Sequence, residues 1–341
     1  MNLIGNCQTT AMGILPHTDV QQALALALSL DIPFWPQLPR VSYLEDMYVQ
    51  AAHGFPGIRI DAAARTVTVD TDAFYAELEH YVAHFEDPDY FRLTEEQSLV
   101  YHAFLAQDLS KYTYIRGQLI GPVSFGLKII DPTFTPLIYH DEMRQFLFDF
   151  FAKKITVQVE ELRRLHPRAF VWVDEPGLEM VFSAYTGYPA ERAKQDYLEF
   201  LANIPGPKGV HLCGNPDWSF LFDLDLDIIS ADFLQWGHVI TRYAGEFRRF
   251  LDRGGIISWG ITPTLTEELE ELDTTVLLDK LEEMFHYLES KGIDRQQLLR
   301  QSWLAPARCC LINLDGYATV ERSFAWLKEL SARLRDTYGL A

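Results

Sequence analysis

A histidine and a cysteine stand two residues apart in the stretch HLCGN, at positions 211 and 213. The residues before them, GPKGV, are typical of a short apolar strand, and alternate residues of a strand share one face. We therefore expect His211 and Cys213 to point the same way, with Gly214 turning the chain after them. Imidazole nitrogen and thiolate sulfur are ligands that zinc prefers. The alternative is core packing, in which a backbone carbonyl satisfies His211 beside a small buried cysteine.

A third zinc ligand has to come from another strand end, because catalytic zinc sites use three protein ligands and leave one position open. The stretch WLAPARCC offers Cys309 and Cys310, of which only one can face the metal, since adjacent strand residues point to opposite sides. Asp232 is a further oxygen donor, either as a ligand or as a partner of His211. Two thiolates and one histidine suit a site that binds a substrate thiol and lowers its pKa.

Two adjacent carboxylates, Asp174 and Glu175, close the apolar run AFVWV. On a strand they point to opposite faces, which argues against a paired general acid and base. An inward Asp174 suits the binding of a substrate ammonium group. The equally good alternative is a helix start, because the DEP sequence provides a capping carboxylate followed by proline.

Eight short apolar runs alternate mostly with amphipathic segments, and they begin near residues 2, 32, 114, 169, 209, 226, 255 and 302. A strand followed by a helix, eight times, predicts a (β/α)8 barrel of the TIM type. Functional side chains of such a barrel lie at the carboxyl ends of its strands. The residues predicted to lie there are Asn6, Asp174, His211, Cys213, Asp232, Cys309 and Cys310.

The connection from residue 41 to 112 is much longer than the others, so it is predicted to be an insertion after the second strand. It contains helical patterns, and the alternation in RIDAAARTVTVD predicts a small hairpin. We expect the insertion to cover part of the barrel mouth. Residues 1–341 are predicted to form a single domain.

Composition limits the classes of partner. Hydrophobic residues make up 48% of the chain, which allows a large core, and 29 basic against 48 acidic residues give a net charge of −19. This charge argues against nucleic acid or an anionic membrane as partner. The first residues do not resemble a secretion signal, and no apolar run reaches the roughly 18 residues of a spanning helix. We therefore expect a cytoplasmic protein whose four cysteines are reduced.

Four motifs, HLCGN, VWVDEPGL, GQLIGPVSF and WLAPARCCL, together resemble the catalytic domain of cobalamin-independent methionine synthase, in the same order and over nearly the whole chain. They also resemble the related methylcobamide:thiol methyltransferases of the uroporphyrinogen decarboxylase-like barrel superfamily. The resemblance implies a zinc-dependent S-methyltransferase acting on a thiol, first of all homocysteine, to give methionine. It implies zinc ligands at His211, Cys213 and Cys309, with Cys310 as the alternative to Cys309.

The resemblance implies further roles. Asp174 corresponds to the aspartate that holds the amino group of homocysteine. Asn6, in IGN, corresponds to a small polar residue that contacts the amino acid, where the family has Ser. Asp232 stands where the family has a glutamate ligand after the sixth strand.

The expected methyl donor depends on a part of the family pattern that we do not expect in this chain. Full-length synthases of the family carry an additional N-terminal barrel that helps to bind folate, whereas the first predicted strand here begins at residue 2. The expected donor is a methylcorrinoid such as methylcobalamin, delivered by a corrinoid protein, or methyltetrahydrofolate.

Three other functions remain open at this point. One is a methylcobamide:coenzyme M-type methyltransferase. The second is a decarboxylase like uroporphyrinogen decarboxylase, against which counts the absence of arginine and lysine from residues 1–39. The third is a non-catalytic protein that binds zinc or a corrinoid.

Overall fold

The structure is a computed structural model that describes residues 3–183, 186–310, 313 and 315–340. These ranges contain nine strands. They are β1 (Gln8–Thr9), β2 (Ile58–Asp61), β3 (Thr66–Val69), β4 (Ile115–Ile120), β5 (Ala169–Asp174), β6 (Gly209–Leu212), β7 (Ile228–Asp232), β8 (Ile256–Thr262) and β9 (Ser302–Pro306).

Fifteen α-helices lie in the same ranges. They are α1 (Val20–Ala27), α2 (Met47–Ala52), α3 (Thr71–Ala83), α4 (Pro88–Phe91), α5 (Leu99–Leu105), α6 (Pro122–Lys128), α7 (Asp141–Leu165), α8 (Ala190–Ala202), α9 (Trp218–Phe222), α10 (Phe233–Ile240), α11 (Ala244–Asp252), α12 (Thr266–Glu271), α13 (Thr274–Ser290), α14 (Arg295–Arg300) and α15 (Ala318–Tyr338). Short 3-10 helices cover Tyr43–Glu45, Leu137–Tyr139 and Pro176–Phe182. Of the helices in the described ranges, none combines the length and the apolar character that a membrane crossing requires.

Seven strands form one parallel sheet, in the order β1-β9-β8-β7-β6-β5-β4. Residues 32–34 lie between its two edge strands. The amide of Ile32 donates to the carbonyl of Thr9 at 3.0 Å, and Phe34 forms a parallel bridge with Arg116 of β4. This segment takes the place of the eighth strand, so the predicted TIM-type barrel is confirmed.

The first two predicted strands differ from the observed ones. Around residue 34 the chain forms isolated bridges instead of a regular strand, because Pro33 and Pro36 have no backbone N–H to donate. The first strand was expected from residue 2, but β1 begins at Gln8. Asn6 and Cys7 have φ values of 49° and 54°, which an extended strand does not allow.

An apolar layer fills the amino-terminal half of the barrel. Its buried side chains are Ile32, Tyr114, Phe170, Ile228, Ile256 and Trp303, each at or near the start of its strand or bridge. Because this layer closes the lower end, a ligand has to enter from the carboxyl ends of the strands, as in other barrels of this type.

The long connection contains the predicted hairpin. β2 and β3 pair antiparallel, from Ile58 opposite Val69 to Asp61 opposite Thr66. Aromatic contacts attach the insertion to α7, since the ring of Phe55 packs edge-on against that of Phe150 with 5.4 Å between the ring centres. The insertion and the barrel therefore share one apolar core.

Candidate active site

The carboxyl ends of β5 and β6 bring Asp174 and His211 side by side. These two residues are register partners in adjacent parallel strands, and His211 is the register partner of Ser230 in β7. All three side chains are buried. Partners in register share a face of the sheet, so the three polar groups meet at one level of the barrel interior.

His211 is held by contacts at both ring nitrogens. Its Nδ1 lies 3.0 Å from Ser230 Oγ, and its Nε2 lies 3.2 Å from Cys213 Sγ. The ring also stacks on Trp172 with 5.9 Å between centres. Burial alone lowers the pKa of His211, but Cys213 and Asp174 more than reverse this and leave the pKa above its ordinary value. The shared face expected for His211 and Cys213 is therefore observed.

Cys213 and Cys309 meet across the barrel mouth. The pKa of Cys213 lies well below its ordinary value. The main cause is a hydrogen bond from the Cys309 thiol, and His211 lowers the pKa further, whereas burial opposes the shift. The pKa of Cys309 is raised well above its ordinary value, first by the same hydrogen bond. The contact between the two thiols thus favours ionisation of Cys213 and opposes ionisation of Cys309.

Cys310 lies apart from this pair. Its side chain is buried in the apolar core, and its Sγ lies 3.7 Å from the carbonyl oxygen of Arg308. Burial raises the pKa of Cys310 to about 12, so its thiol stays protonated. Of the two alternatives left open by the sequence, Cys309 is the one in contact with Cys213.

Asp232 caps a helix and faces an arginine. Its Oδ1 accepts a hydrogen bond from the amide of Gln235 at 2.8 Å, at the start of α10. Its Oδ2 lies 3.0 Å from Arg308 Nε. Burial raises the pKa of Asp232 to about 6. Oδ1 is thus hydrogen-bonded and Oδ2 is ion-paired, and the charge of Cys213 also acts on Asp232.

The two adjacent carboxylates separate as expected from strand alternation. Asp174 faces the barrel, where burial raises its pKa to about 6 while His211 and Arg116 oppose the shift. Glu175 turns away and accepts hydrogen bonds from the amide and hydroxyl of Ser124, at 2.8 and 2.6 Å. Glu175 does not cap the 3-10 helix that follows it at Pro176, as the helix-start alternative expects, but accepts amides at the start of α6 instead. Asp174 is left for the barrel interior.

Gly121, the second glycine of GQLIGPVSF, makes room for the Glu175 carboxylate at the start of α6. A Cβ on Gly121 would lie 2.0 Å from Glu175 Oε1, a distance that no side chain tolerates. The motif thus brings the start of α6 onto the Glu175 carboxylate.

Asn6 is at the other end of the barrel, and its predicted place in the site is wrong. It precedes β1, next to Gly5, whose amide donates to Arg300 O below the start of β9. Its own carbonyl accepts from Arg335 Nε at 3.0 Å. The error follows from the misplaced first strand. Cys7, beside it, is buried in the core, where burial raises its pKa to about 12.

Two residues that the sequence did not indicate belong to the site. Tyr48 lies on α2 of the insertion. Burial is the main cause that raises its pKa, and the charges of the nearby Glu175, Cys309 and Asp174 raise it further. Arg116 lies inside the barrel, fully buried. The sequence marks Arg116 only as a charged residue within a strand that is otherwise apolar. For Tyr48 the sequence contains no signal of a role in the site.

The donor types at the mouth fit zinc chemically. His211 Nε2 lies 3.2 Å from Cys213 Sγ, and the Cys309 thiol hydrogen-bonds to Cys213. Ser230 fixes the remaining nitrogen of the imidazole, as outer partners of zinc-bound histidines do. In the described part of the chain, however, no group of three or more His, Cys, Asp and Glu side chains is placed so that it could hold a metal ion. Zinc binding therefore stays a prediction.

Comparison with solved structures decides the fold relationship. A B12-independent methionine synthase from Shewanella sp. W3-18-1, solved in complex with selenomethionine, matches 97% of this chain and 98% of its own, with a TM-score of 0.55 and 13% identity. The chain shares the fold of this synthase. A methyltransferase from Methanosarcina mazei matches 98% of this chain and 94% of its own, with a TM-score of 0.53 and 13% identity. No family model and no curated protein matches the sequence.

The resemblance inferred from the four motifs thus agrees with a fold match that spans nearly the whole chain. At 13% identity the match concerns the fold, and the chemistry has to be argued from the side chains. These side chains are the paired thiols of Cys213 and Cys309, the buried imidazole of His211, the buried carboxylate of Asp174 and Tyr48 of the insertion.

Proposed function

We propose that this protein is an S-methyltransferase that methylates homocysteine to methionine. The observation that supports it most is the meeting of His211, Cys213 and Cys309 beside the buried Asp174, at the mouth of a barrel with the fold of a B12-independent methionine synthase. Sulfur and nitrogen donors suit the activation of a thiol, and a buried carboxylate suits an ammonium group.

We propose zinc as the metal, on His211, Cys213 and Cys309. When bound, zinc would lower the pKa of the acceptor thiol so that the thiolate forms near neutral pH. Contact with Cys309, and then with His211, lowers the pKa of Cys213, which suits a thiolate ligand, and the Ser230 hydroxyl orients the imidazole. Asp232 is then an outer residue that holds Arg308, and Cys310 is a packing residue.

The acceptor is positioned by residues of three different segments. Asp174 of β5 takes the ammonium group, and its raised pKa near 6 still leaves it ionised at neutral pH. Tyr48 covers the same pocket from the insertion and stays protonated, so its hydroxyl can donate a hydrogen bond. With the acceptor fixed, its sulfur attacks the methyl carbon in line, and the donor–carbon bond breaks as the sulfur–carbon bond forms.

For the methyl donor we propose methyltetrahydrofolate or a methylcorrinoid, the latter brought by a corrinoid protein. The solved synthase that matches this chain end to end carries the name B12-independent, which supports the first donor. We also propose a reducing, cytoplasmic setting, because all four cysteines, each in a described range, are free thiols.

The proposal is tested with the purified protein by metal analysis and by methyl transfer to homocysteine. Methylcobalamin and methyltetrahydrofolate are supplied in separate reactions, and methionine is measured by mass spectrometry. We expect zinc bound in stoichiometric amount and methionine from one of the two donors. Cys213→Ser should abolish both zinc binding and activity. A metal-free protein, or one that forms no methionine from either donor, would contradict the proposal.

A further inference from the structure

Arg116 is a buried cation inside the barrel, close to Asp174 and His211 of the candidate active site. Its side chain is fully buried, with the guanidinium carbon 3.6 Å from the centre of the Trp172 ring and 5.1 Å from that of Phe34. These two rings hold the flat guanidinium group by cation–π contacts. The side chain is therefore fixed in one place rather than mobile.

Most of its N–H groups are held by neutral acceptors. Nε donates to Thr10 Oγ1 at 3.2 Å, and Nη1 donates to Gly117 O and Gln118 Oε1, both at 3.3 Å. Nη2 has no partner, and no described residue forms an ion pair with Arg116. A buried charge without a counterion is rare and unfavourable, which points to an anion that is absent from the chain itself.

The nearest acid faces the same part of the barrel. Asp174 lies two residues beyond Trp172 on β5, so its side chain points to the same side of the strand. Its charge acts on Arg116, although the two do not pair, and its Oδ1 also lacks a partner. Arg116 in turn acts on Asp174 and on His211. A cation and a carboxylate, neither of which forms an ion pair among the described residues, thus lie close to the imidazole of His211.

This pair of opposite, separated charges complements a zwitterion. The α-ammonium of an amino acid suits Asp174, and its α-carboxylate suits a guanidinium with a free pair of N–H donors. We propose that Arg116 binds the carboxylate of the acceptor through Nη2, opposite Asp174, and thereby selects an amino-acid thiol over simple thiols. This inference rests on the proposed thiol methylation and names the acceptor class.

A sulfonate, as in coenzyme M, would meet the guanidinium in the same way, because both groups are oxyanions. Such a thiol has no ammonium group and would leave Asp174 unpaired, so the structure favours the amino acid. Burial lowers the pKa of Arg116 to about 9, and the guanidinium therefore remains charged at neutral pH.

The experiment measures binding by calorimetry with four thiols. They are homocysteine, 3-mercaptopropylamine (homocysteine without its carboxylate), 4-mercaptobutanoate (homocysteine without its ammonium group) and coenzyme M. The wild-type protein should bind homocysteine about thirtyfold more tightly than either truncated thiol, or better. Equal affinity for homocysteine and 3-mercaptopropylamine, or tighter binding of coenzyme M than of homocysteine, overturns the inference without any variant.

Variants then assign the carboxylate to Arg116. Arg116→Gln should weaken the binding of homocysteine and of 4-mercaptobutanoate by about thirtyfold and leave the affinity for 3-mercaptopropylamine unchanged. Arg116→Lys should recover part of the lost affinity. Arg144→Gln is the control, since Arg144 is also buried but pairs with Asp196 at 3.0 Å on the outer helices. If Arg116 has only a structural role, Arg116→Gln would weaken the binding of all the thiols alike, and that result overturns the inference.

Binding of L-norleucine, an amino acid without sulfur, separates this inference from the proposed function. If the wild type methylates no thiol, but Arg116→Gln still selectively weakens norleucine, the carboxylate site stands and the proposed function fails. If homocysteine is methylated, but Arg116→Gln affects homocysteine and 3-mercaptopropylamine equally, the proposed function stands and the carboxylate site fails.

Discussion

Asp174 and Glu175 are adjacent in the chain, but their carboxyl groups point in opposite directions. Asp174 faces the barrel interior beside His211, and Glu175 accepts the amides of Val123 and Ser124 at the start of α6. The separation follows from the alternation of side chains at a strand end. It gives two neighbouring carboxylates of similar burial different tasks, one in the pocket and one in the fold.

Substitution of these two carboxylates should therefore give different phenotypes. Asp174→Asn should lower kcat/KM for homocysteine by about thirtyfold or more, because the ammonium loses its buried counterion. Its thermal midpoint should not fall, since a buried charge is removed. Glu175→Gln should destabilise the protein by about 1–3 kcal/mol. The donors of Val123 and Ser124 bind two carboxylate oxygens in the wild type, whereas the amide of glutamine offers them only one acceptor oxygen. Thermal unfolding and steady-state kinetics check both, and equal destabilisation by the two variants would contradict the division.

The contact between Cys213 and Cys309 distinguishes the two adjacent cysteines. Cys309→Ser should release zinc, because a hydroxyl is a poor replacement for a thiolate ligand. Cys310→Ser should retain zinc and lose about 1–3 kcal/mol of stability, because it places a hydroxyl among apolar side chains. Metal content after gel filtration, together with denaturant unfolding, measures both effects. Retention of zinc by Cys309→Ser and its loss from Cys310→Ser would reverse the assignment.

The sequence predicts the later strands and the site residues on them well, for a physical reason. β4 to β9 of the barrel are buried on both faces, so they are continuous apolar runs that end at turn residues. Asp174, His211 and Cys213 lie at the ends of such runs. The order of strands in a barrel then brings them together without any knowledge of the tertiary structure.

The beginning of the chain departs from this pattern. NLIGN is apolar and ends in a turn residue, as the other strands do, but Asn6 and Cys7 adopt left-handed backbone angles and β1 starts at Gln8. Pairing with β9 sets that register, and no local pattern encodes it. The displacement places Asn6 at the wrong end of the barrel. A shift of a few residues in a strand thus changes which side chain reaches the site.

Tyr48 shows a second kind of failure, since its approach to the site depends on how the insertion folds back. The residue lies on a six-residue helix with no chemical motif, far along the chain from β5 and from Cys309. Its ring stacks on Phe125, with 6.3 Å between the centres, and this contact depends on tertiary packing alone. Only the general expectation, that a long insertion covers the barrel mouth, was accessible from the sequence.

Tyr48→Phe tests whether the hydroxyl takes part in substrate binding. We expect kcat/KM for homocysteine to fall by about fivefold to fiftyfold, as for the loss of one hydrogen bond to a charged group, while the thermal midpoint stays unchanged. Tyr43→Phe is the matched control, because Tyr43 lies in the same insertion and stacks against Arg65 instead. If Tyr48→Phe keeps wild-type activity and Tyr48→Ala loses it, the ring contributes packing and the hydroxyl does not bind the substrate.

Lys154 is a buried cation outside the site and should reduce stability. It is sealed beneath the insertion, where its Nζ donates to the carbonyl of Gln50 at 3.2 Å, lies over the Phe150 ring and has no acidic partner among the described residues. Burial lowers the pKa of Lys154 to about 7. Lys154→Met, of similar volume, should raise the free energy of unfolding at neutral pH by about 1–4 kcal/mol. Lys153→Met is the control, because Lys153 pairs with Glu86 at 2.9 Å near the surface and should change stability little.

The pH dependence of this gain has a definite sign. In the unfolded chain the pKa of Lys154 returns to about 10.4, so between pH 7 and about 10 the unfolded state binds more protons than the native state. The wild type therefore gains stability relative to Lys154→Met as the pH rises through this window. Below pH 7 the full penalty persists, because Lys154 is charged in both states. Urea unfolding of both variants at pH 6.5, 8 and 9.5 measures the difference, and a gap that stays constant or widens with pH would show that the buried Lys154 is not the titrating group.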